Sequence, residues 1–248
     1  MPTVAIVGTR KPTPYGRETT YRLSYELAKR GVVIVSGLAL GVDGIAHQAA
    51  LDAGGTAIAI LPTPLESIHP KTHHQLAERI VKSGGALLSE YGATDGVYKG
   101  NFIARNRIVT ALSDAVLITE AAARSGTLTT ARFALEQGKT VMVVPGNITS
   151  TMSAGCNNLL KVGATPVTTV EDILHELGLQ DVGEQVKLPL AQTREEDILL
   201  KLLVTGVREG EQLHQKSGLP AAVYSQTMTM LEIEGKIRAL GSNQWTIR

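Results

Sequence analysis

Apolar residues along this chain fall into short unbroken runs, separated by longer stretches where they return every three or four positions. The runs are Val4 to Val7, Val32 to Val35, Thr56 to Ile60, Gly85 to Ser89, Ala115 to Ile118, Thr140 to Val144 and Pro166 to Thr168. Several are rich in β-branched residues and they lack polar alternation, as strands buried on both faces do. Helical spacing predicts helices over Tyr15 to Arg30, Ile45 to Ala53, Lys71 to Ser83, Phe102 to Leu112, Thr127 to Glu136, Gly155 to Val162 and Val170 to Leu177. Strand alternating with helix predicts an α/β fold with a doubly wound, mostly parallel sheet over residues 1–178.

Beyond that point the pattern changes. Gln180 to Thr193 is polar, contains Gly183 and Pro189, and reads as a linker over 179–193. Ile198, Leu199, Leu202 and Leu203 mark a helix from Glu195 to Val204. Helices over Glu211 to Lys216 and Ala221 to Glu234 follow, then a hairpin from Ile237 to Ile247 about Gly241-Ser242-Asn243. Three helices and a terminal hairpin predict a small winged-helix domain over 194–248.

Composition narrows the class. With 43% hydrophobic and 19% charged residues, this is an ordinary soluble globular chain. One cysteine, Cys156, excludes a disulfide framework and fits a reducing cytoplasm; it is expected to pack. No apolar run reaches membrane-spanning length, and Met1 to Val7 reads as a strand rather than a signal peptide. The net charge of +1 argues against a wholly basic surface but leaves room for a local basic groove. Residues 1–178 carry +2 (sixteen basic, fourteen acidic) and residues 179–248 carry −1 (eight basic, nine acidic). The third helix of the small domain has no Lys or Arg, where a helix reading duplex DNA presents basic and amide side chains. That domain is expected to bind protein, or itself, with Lys236, Arg238 and Arg248 leaving only weak backbone contact open.

Doubly wound sheets bind ligands beyond the carboxyl ends of their strands. Here those ends carry Gly8-Thr9-Arg10, Ser36-Gly37, Glu90-Tyr91-Gly92, the span from Glu120 to Gly126, and Pro145-Gly146. Two stretches stand out, Asn101-Phe102-Ile103-Ala104-Arg105-Asn106-Arg107 and Ser125-Gly126-Thr127-Leu128-Thr129-Thr130. Amide N–H groups at a helix start, together with fixed cations, suit phosphate oxygens. The first turn, Gly8-Thr9-Arg10-Lys11-Pro12, is not G-x-G-x-x-G, and Ser36-Gly37 offers no acid to a ribose diol, which counts against a dinucleotide site. No G-x-x-x-x-G-K-[ST] occurs, which counts against a P-loop hydrolase.

In these segments the chain resembles the DNA-processing protein A family (DprA, also called Smf). The resemblance rests on Gly8-Thr9-Arg10 with Tyr15-Gly16, Ser36 through Asp43 with Ala46-His47, Leu88-Ser89-Glu90, and Phe102 with Arg105-Asn106-Arg107-Ile108. It continues through Glu120 with Ser125 to Ala131, Val144-Pro145-Gly146, and Gly155 to Lys161 with Gly163-Ala164. It implies an extended Rossmann-like domain that binds single-stranded DNA, forms a homodimer and delivers the recombinase RecA onto incoming DNA in natural transformation. No catalytic residue, cofactor or metal is expected. Many members carry a helical domain before the Rossmann unit, whereas this chain begins at the first strand. Ile103 stands where the family usually has proline.

The candidate DNA-binding residues are Gly8, Arg10, Gly37, Lys99, Phe102, Arg105, Asn106, Arg107, Ser125, Gly126, Thr127 and Lys161. Arg10 is expected to pair a phosphate. Arg105 and Arg107 cannot share one helix face; Arg105 is expected to reach DNA and Arg107 to pack inward against an acid such as Glu120. Asn106 suits a local cap as well as DNA, and Lys161 suits its helix dipole as well as DNA. Ser125, Gly126 and Thr127 can cap a helix and donate to a ligand at once. Phe102 is a stacking platform or a core ring. With 4% aromatics, binding is expected to lean on phosphates, depend on salt and tolerate sequence. Asp43 and His47 are expected to be structural, and His69, His73 and His74 to form a solvated turn. Two alternatives remain. A nucleotide N-glycosidase of the Lonely Guy type would need a glutamate after Gly-Thr, where Leu128-Thr129-Thr130 stands. A mononucleotide sensor would saturate with one nucleotide.

Overall fold

The computed structural model describes residues 1–179, 193–241 and 243–247. It divides into two compact units, Met1–Gln180 and Asp181–Arg248. The expected linker lies almost wholly outside the described residues, as do Ser242 of the hairpin turn and Arg248.

The first unit opens with β1 (Thr3–Val7), α1 (Pro14–Lys29), β2 (Val33–Ser36), α2 (Val42–Asp52) and β3 (Ala57–Leu61). A 3₁₀ turn (Lys71–His73) leads into α3 (His74–Lys82) and β4 (Ala86–Ser89). Then come α4 (Lys99–Ala104), α5 (Asn106–Ala111), β5 (Ala115–Ile118), α6 (Thr127–Glu136) and β6 (Thr140–Val143). The unit closes with α7 (Ala154–Lys161), β7 (Thr165–Pro166) and α8 (Val170–Glu176). All seven strands pair in parallel, in the order β4-β3-β2-β1-β5-β6-β7.

Successive side chains of a strand point to opposite faces, and here both faces are covered. Val4 and Ile6 of β1 pack with Leu23 and Leu27 of α1, Ala46 and Ala50 of α2 and Ile173 of α8. Ala5 and Val7 pack with Val109 of α5, Ala131 and Ala134 of α6 and Cys156 of α7. That double burial is why the central runs, Val4–Val7 and Ala115–Ile118, are apolar at every position. Burial pushes the Cys156 thiol up to about 11, in keeping with a packing role.

Local chemistry sets the ends. Thr13 caps α1, accepting from the Gly16 amide at 3.2 Å, and Pro14 follows at the first helical position. Thr169 and Asp172 form a capping box at α8. Two differences from the sequence expectation bear on the site. α2 starts at Val42, because Gly41 (φ 79°) turns the chain straight into the helix; a side chain there would also meet the Thr9 carbonyl. The helix expected from Phe102 to Leu112 is two helices, starting at Lys99 and broken at Arg105. At the break the Ile108 amide bonds back to the Arg105 carbonyl at 2.9 Å, a tighter i to i+3 turn.

The chain moves outward from β1 through β2, β3 and β4, then returns to lay β5 on the other side of β1. The crevice above β1 and β5 is therefore the reversal point where such sheets bind ligands.

The second unit holds α9 (Arg194–Val204), α10 (Gly210–Ser217), α11 (Ala221–Ile233), β8 (Ile237–Gly241) and β9 (Gln244–Ile247), the last two an antiparallel pair. Leu199, Leu203, Leu213, Met228, Leu231 and Ile237 form its core. Lys236 bonds Glu196 at 2.9 Å and Glu234 at 2.6 Å, so this basic side chain of the wing is already paired.

Leu117, fully buried in β5, tests the central sheet. Leu117→Ala is expected to lower stability by about 2–5 kcal/mol through lost burial and a residual cavity, read as a shift in the urea unfolding midpoint at unchanged slope.

Candidate functional site

At the reversal point the strand ends enclose a cavity of about 340 Å³. Its walls come from the end of β1 (Gly8 to Arg10), from α4 and α5 (Phe102, Arg105, Asn106) and from the loop opening α6 (Arg124 to Thr127). Gly8 allows the close approach at its base, since a side chain there would meet Val42 at 2.6 Å and the Glu120 carbonyl at 2.9 Å.

Arg10 is exposed at the mouth. Its guanidinium carbon lies 5.5 Å from the centre of the Phe102 ring, within cation–π range. His69 meets the same ring edge-on at 5.2 Å. Phe102 is half-buried, so it is neither a free platform nor a core ring.

At the start of α6, the Ser125 hydroxyl donates to Thr127 Oγ1 at 3.0 Å and accepts from the Thr127 amide at 3.2 Å. The amides of Ser125 and Gly126 have no hydrogen-bond partner among the described residues. Gly126 faces open space, so packing would not exclude a side chain there. Arg124 joins this loop in the cavity wall. It was absent from the expected set, although its place directly before Ser-Gly-Thr was a usable signal.

The two arginines of the helix motif are arranged the opposite way to expectation. Arg105 is 3% exposed. Its Nη1 donates to the carbonyls of Gly37, at 2.5 Å, and Ile60, and its Nε donates to Asn106 Oδ1 at 3.3 Å. Arg107 is 51% exposed and pairs with Glu90 at the end of β4. The reason is geometric. Arg105 sits at the break over the open ends of β2 and β3, whose carbonyls need donors, and Arg107 lies about 200° further round the helix. Glu120 pairs with no arginine among the described residues; its carboxylate accepts from the Thr13 amide at 2.8 Å and the Thr13 hydroxyl at 2.6 Å.

Burial lowers Arg105 to about 10, opposed by the Asp43 carboxylate and aided by Arg10, so it stays charged at neutral pH. Asp43 is not the cap of α2; it accepts from the Gly37 amide at 3.1 Å. Gly37 is glycine because a side chain would fall on the Arg105 guanidinium. His47 is fully buried, and neither ring nitrogen has a hydrogen-bond partner among the described residues. Burial first, then Arg105 and His73, lower it to about 3, with only the Ser36 backbone acting in the other direction.

The remaining expected residues lie off the cavity. Lys99 is exposed at the first position of α4, and Lys161 is exposed in the last turn of α7. His73 is not merely solvated, since its Nδ1 lies 2.9 Å from the Leu38 carbonyl. Among the described residues no three His, Cys, Asp or Glu side chains are grouped to hold a metal, and no helix is long and apolar enough to cross a membrane.

A seven-stranded parallel sheet with helices on both faces, followed in the chain by a winged-helix unit, defines a Rossmann-like protein that also carries a winged helix. The chain belongs to the DNA recombination-mediator protein A family, whose model matches residues 1–178; a DprA winged helix domain model matches residues 184–243. It is 38% identical to Protein Smf of Escherichia coli (strain K12) over 96% of this chain and 66% of that protein. Among solved structures it is similar to DNA processing protein A of Streptococcus pneumoniae (40% identity, TM-score 0.65, 71% of this chain and 61% of that one). It is also similar to DNA processing protein A of Helicobacter pylori, studied for its single-stranded DNA binding mode (42% identity, TM-score 0.65, 71% and 80%). The chain spans 48–66% of the length of the curated relatives it matches.

The buried imidazole gives a pH test. His47 takes a proton near 6.5 when unfolded and near 3 when folded. Between those values the unfolded chain binds more protons, so stability is full above 6.5 and falls as pH falls. His47→Leu is expected to remove up to about 1.4 kcal/mol of loss per pH unit in that window. Urea midpoints at pH 7, 6 and 5 measure it, and parallel curves for the two proteins would contradict it.

Proposed function

We propose that the strand-end rim is a track for single-stranded DNA, bound through its phosphates without sequence preference. The observation that carries this is the cavity at the reversal point, where Arg10 and Arg124 face unpaired amides at the start of α6. Cations beside free N–H groups are the chemistry that phosphate oxygens require. The H. pylori relative's reported single-stranded DNA binding supports the choice of polyanion. In this reading Arg10 makes the first phosphate contact and the Ser125 to Thr127 loop the second. Arg105 acts from below as a fixed positive charge, and Arg107 and Lys99 lie along the outer run of the strand. The protein is then a non-enzymatic mediator acting as a homodimer in the cytoplasm. It protects incoming DNA and helps load RecA recombinase in natural transformation.

Binding to oligomers is expected to strengthen with length and weaken steeply with salt. Arg10→Ala should lower the log–log salt slope by about 0.7, one lost phosphate contact on a single strand. Tight binding of one mononucleotide with indifference to chain length would overturn the reading. Residues 1–178 alone should keep most of the single-strand affinity, because the second unit carries net negative charge. A large loss in an anisotropy titration with labelled oligomers would move the track onto the winged-helix unit.

A further inference from the structure

The arginine cavity has two halves. One is the loop from Gly8 to Thr13, which carries Arg10; the other is the loop from Arg124 to Thr127, which opens α6. Glu120, just past the end of β5, is bonded to the first half and leads by chain into the second. Its carbonyl accepts from the Thr9 amide at 2.8 Å, and its carboxylate accepts from the amide and the hydroxyl of Thr13. One residue thus clamps both ends of the span Thr9–Thr13, with Arg10, Lys11 and Pro12 bridging the gap. Within the span the Lys11 amide donates to Thr9 Oγ1 at 3.2 Å. On the other side the Ala121 carbonyl accepts from the Gly155 amide at 2.8 Å, which fixes how the chain leaves toward Arg124.

Glu120 is 2% exposed, and no cation pairs with its carboxylate among the described residues. A buried carboxylate is costly unless it is hydrogen-bonded, and one stripped of its donors bears the full cost of lost hydration. The Thr13 end of the loop therefore cannot drift without stranding a charge. The packing leaves little slack. A side chain at Gly16 would fall on the Glu120 carboxylate, and one at Gly8 would meet the Glu120 carbonyl at 2.9 Å.

We infer that Glu120 is the positioning residue of the rim, holding the Arg10 loop in register with Arg124 and the α6 amides. It makes no phosphate contact of its own and acts through Thr9 and Thr13. With the two halves fixed, a phosphate meets donors already in place, and less ordering opposes binding. Released from Thr13, the loop would carry Arg10 as a mobile charge rather than a placed one. The inference rests on the strand reading of the cavity, and the test separates the two.

The full chain and its variants are titrated with labelled oligo(dT) by fluorescence anisotropy across a salt series, and each variant's urea midpoint is measured beside it. Glu120→Ala is expected to weaken binding about tenfold, the scale of one hydrogen bond to a charged group, and to lower the log–log salt slope by about 0.7. The double variant Arg10→Ala with Glu120→Ala should match Arg10→Ala alone, because the contact that Glu120 supports is already gone. Thr13→Val keeps the amide bond and removes the hydroxyl one; it should weaken binding about threefold, and Thr13→Ser should restore it. Where Glu120→Ala does not fold, Thr13→Val carries the same comparison with Arg10→Ala. A lower urea midpoint with affinity and slope unchanged in the folded variants overturns the positioning role and spares the track. Slope losses that add in the double variant also overturn it, since Glu120 would then act apart from Arg10. Failure of the unaltered chain to bind the oligomer overturns the strand reading itself.

Discussion

The rim is organised by a cation almost wholly withdrawn from solvent. Arg105 is drawn under α4 and α5 and spends its donors on the carbonyls of Gly37 and Ile60, with Asp43 nearby. Burying a guanidinium is costly unless it is paired and hydrogen-bonded, and here the ends of two strands supply that. The contact ties the helix pair to β2 and β3, which fixes where Phe102 and Asn106 stand. It also dictates its neighbours. Gly37 must lack a side chain, and Asp43 must hold the Gly37 amide.

Much of this architecture is legible in the order of the residues alone. Strands buried on both faces are apolar at every position, so the β5 run Ala115–Ile118 and the α6 span Thr127–Glu136 match their observed bounds. The glycine-rich strand ends announce the rim because backbone must come close there. The orientation of Arg105 and Arg107 is not legible in the same way. Periodicity says that the two diverge, but only the open carbonyls of β2 and β3 decide which is drawn inward. The same limit applies to Glu120. Its partner, Thr13, lies 107 positions away, and no local pattern links them.

The Arg10 side chain lies against the Phe102 ring, with His69 at the ring's edge. Were the guanidinium drawn toward the α6 loop, the ring would lose the charge that covers it, so the cation and the aromatic face at this mouth cannot be engaged independently of one another.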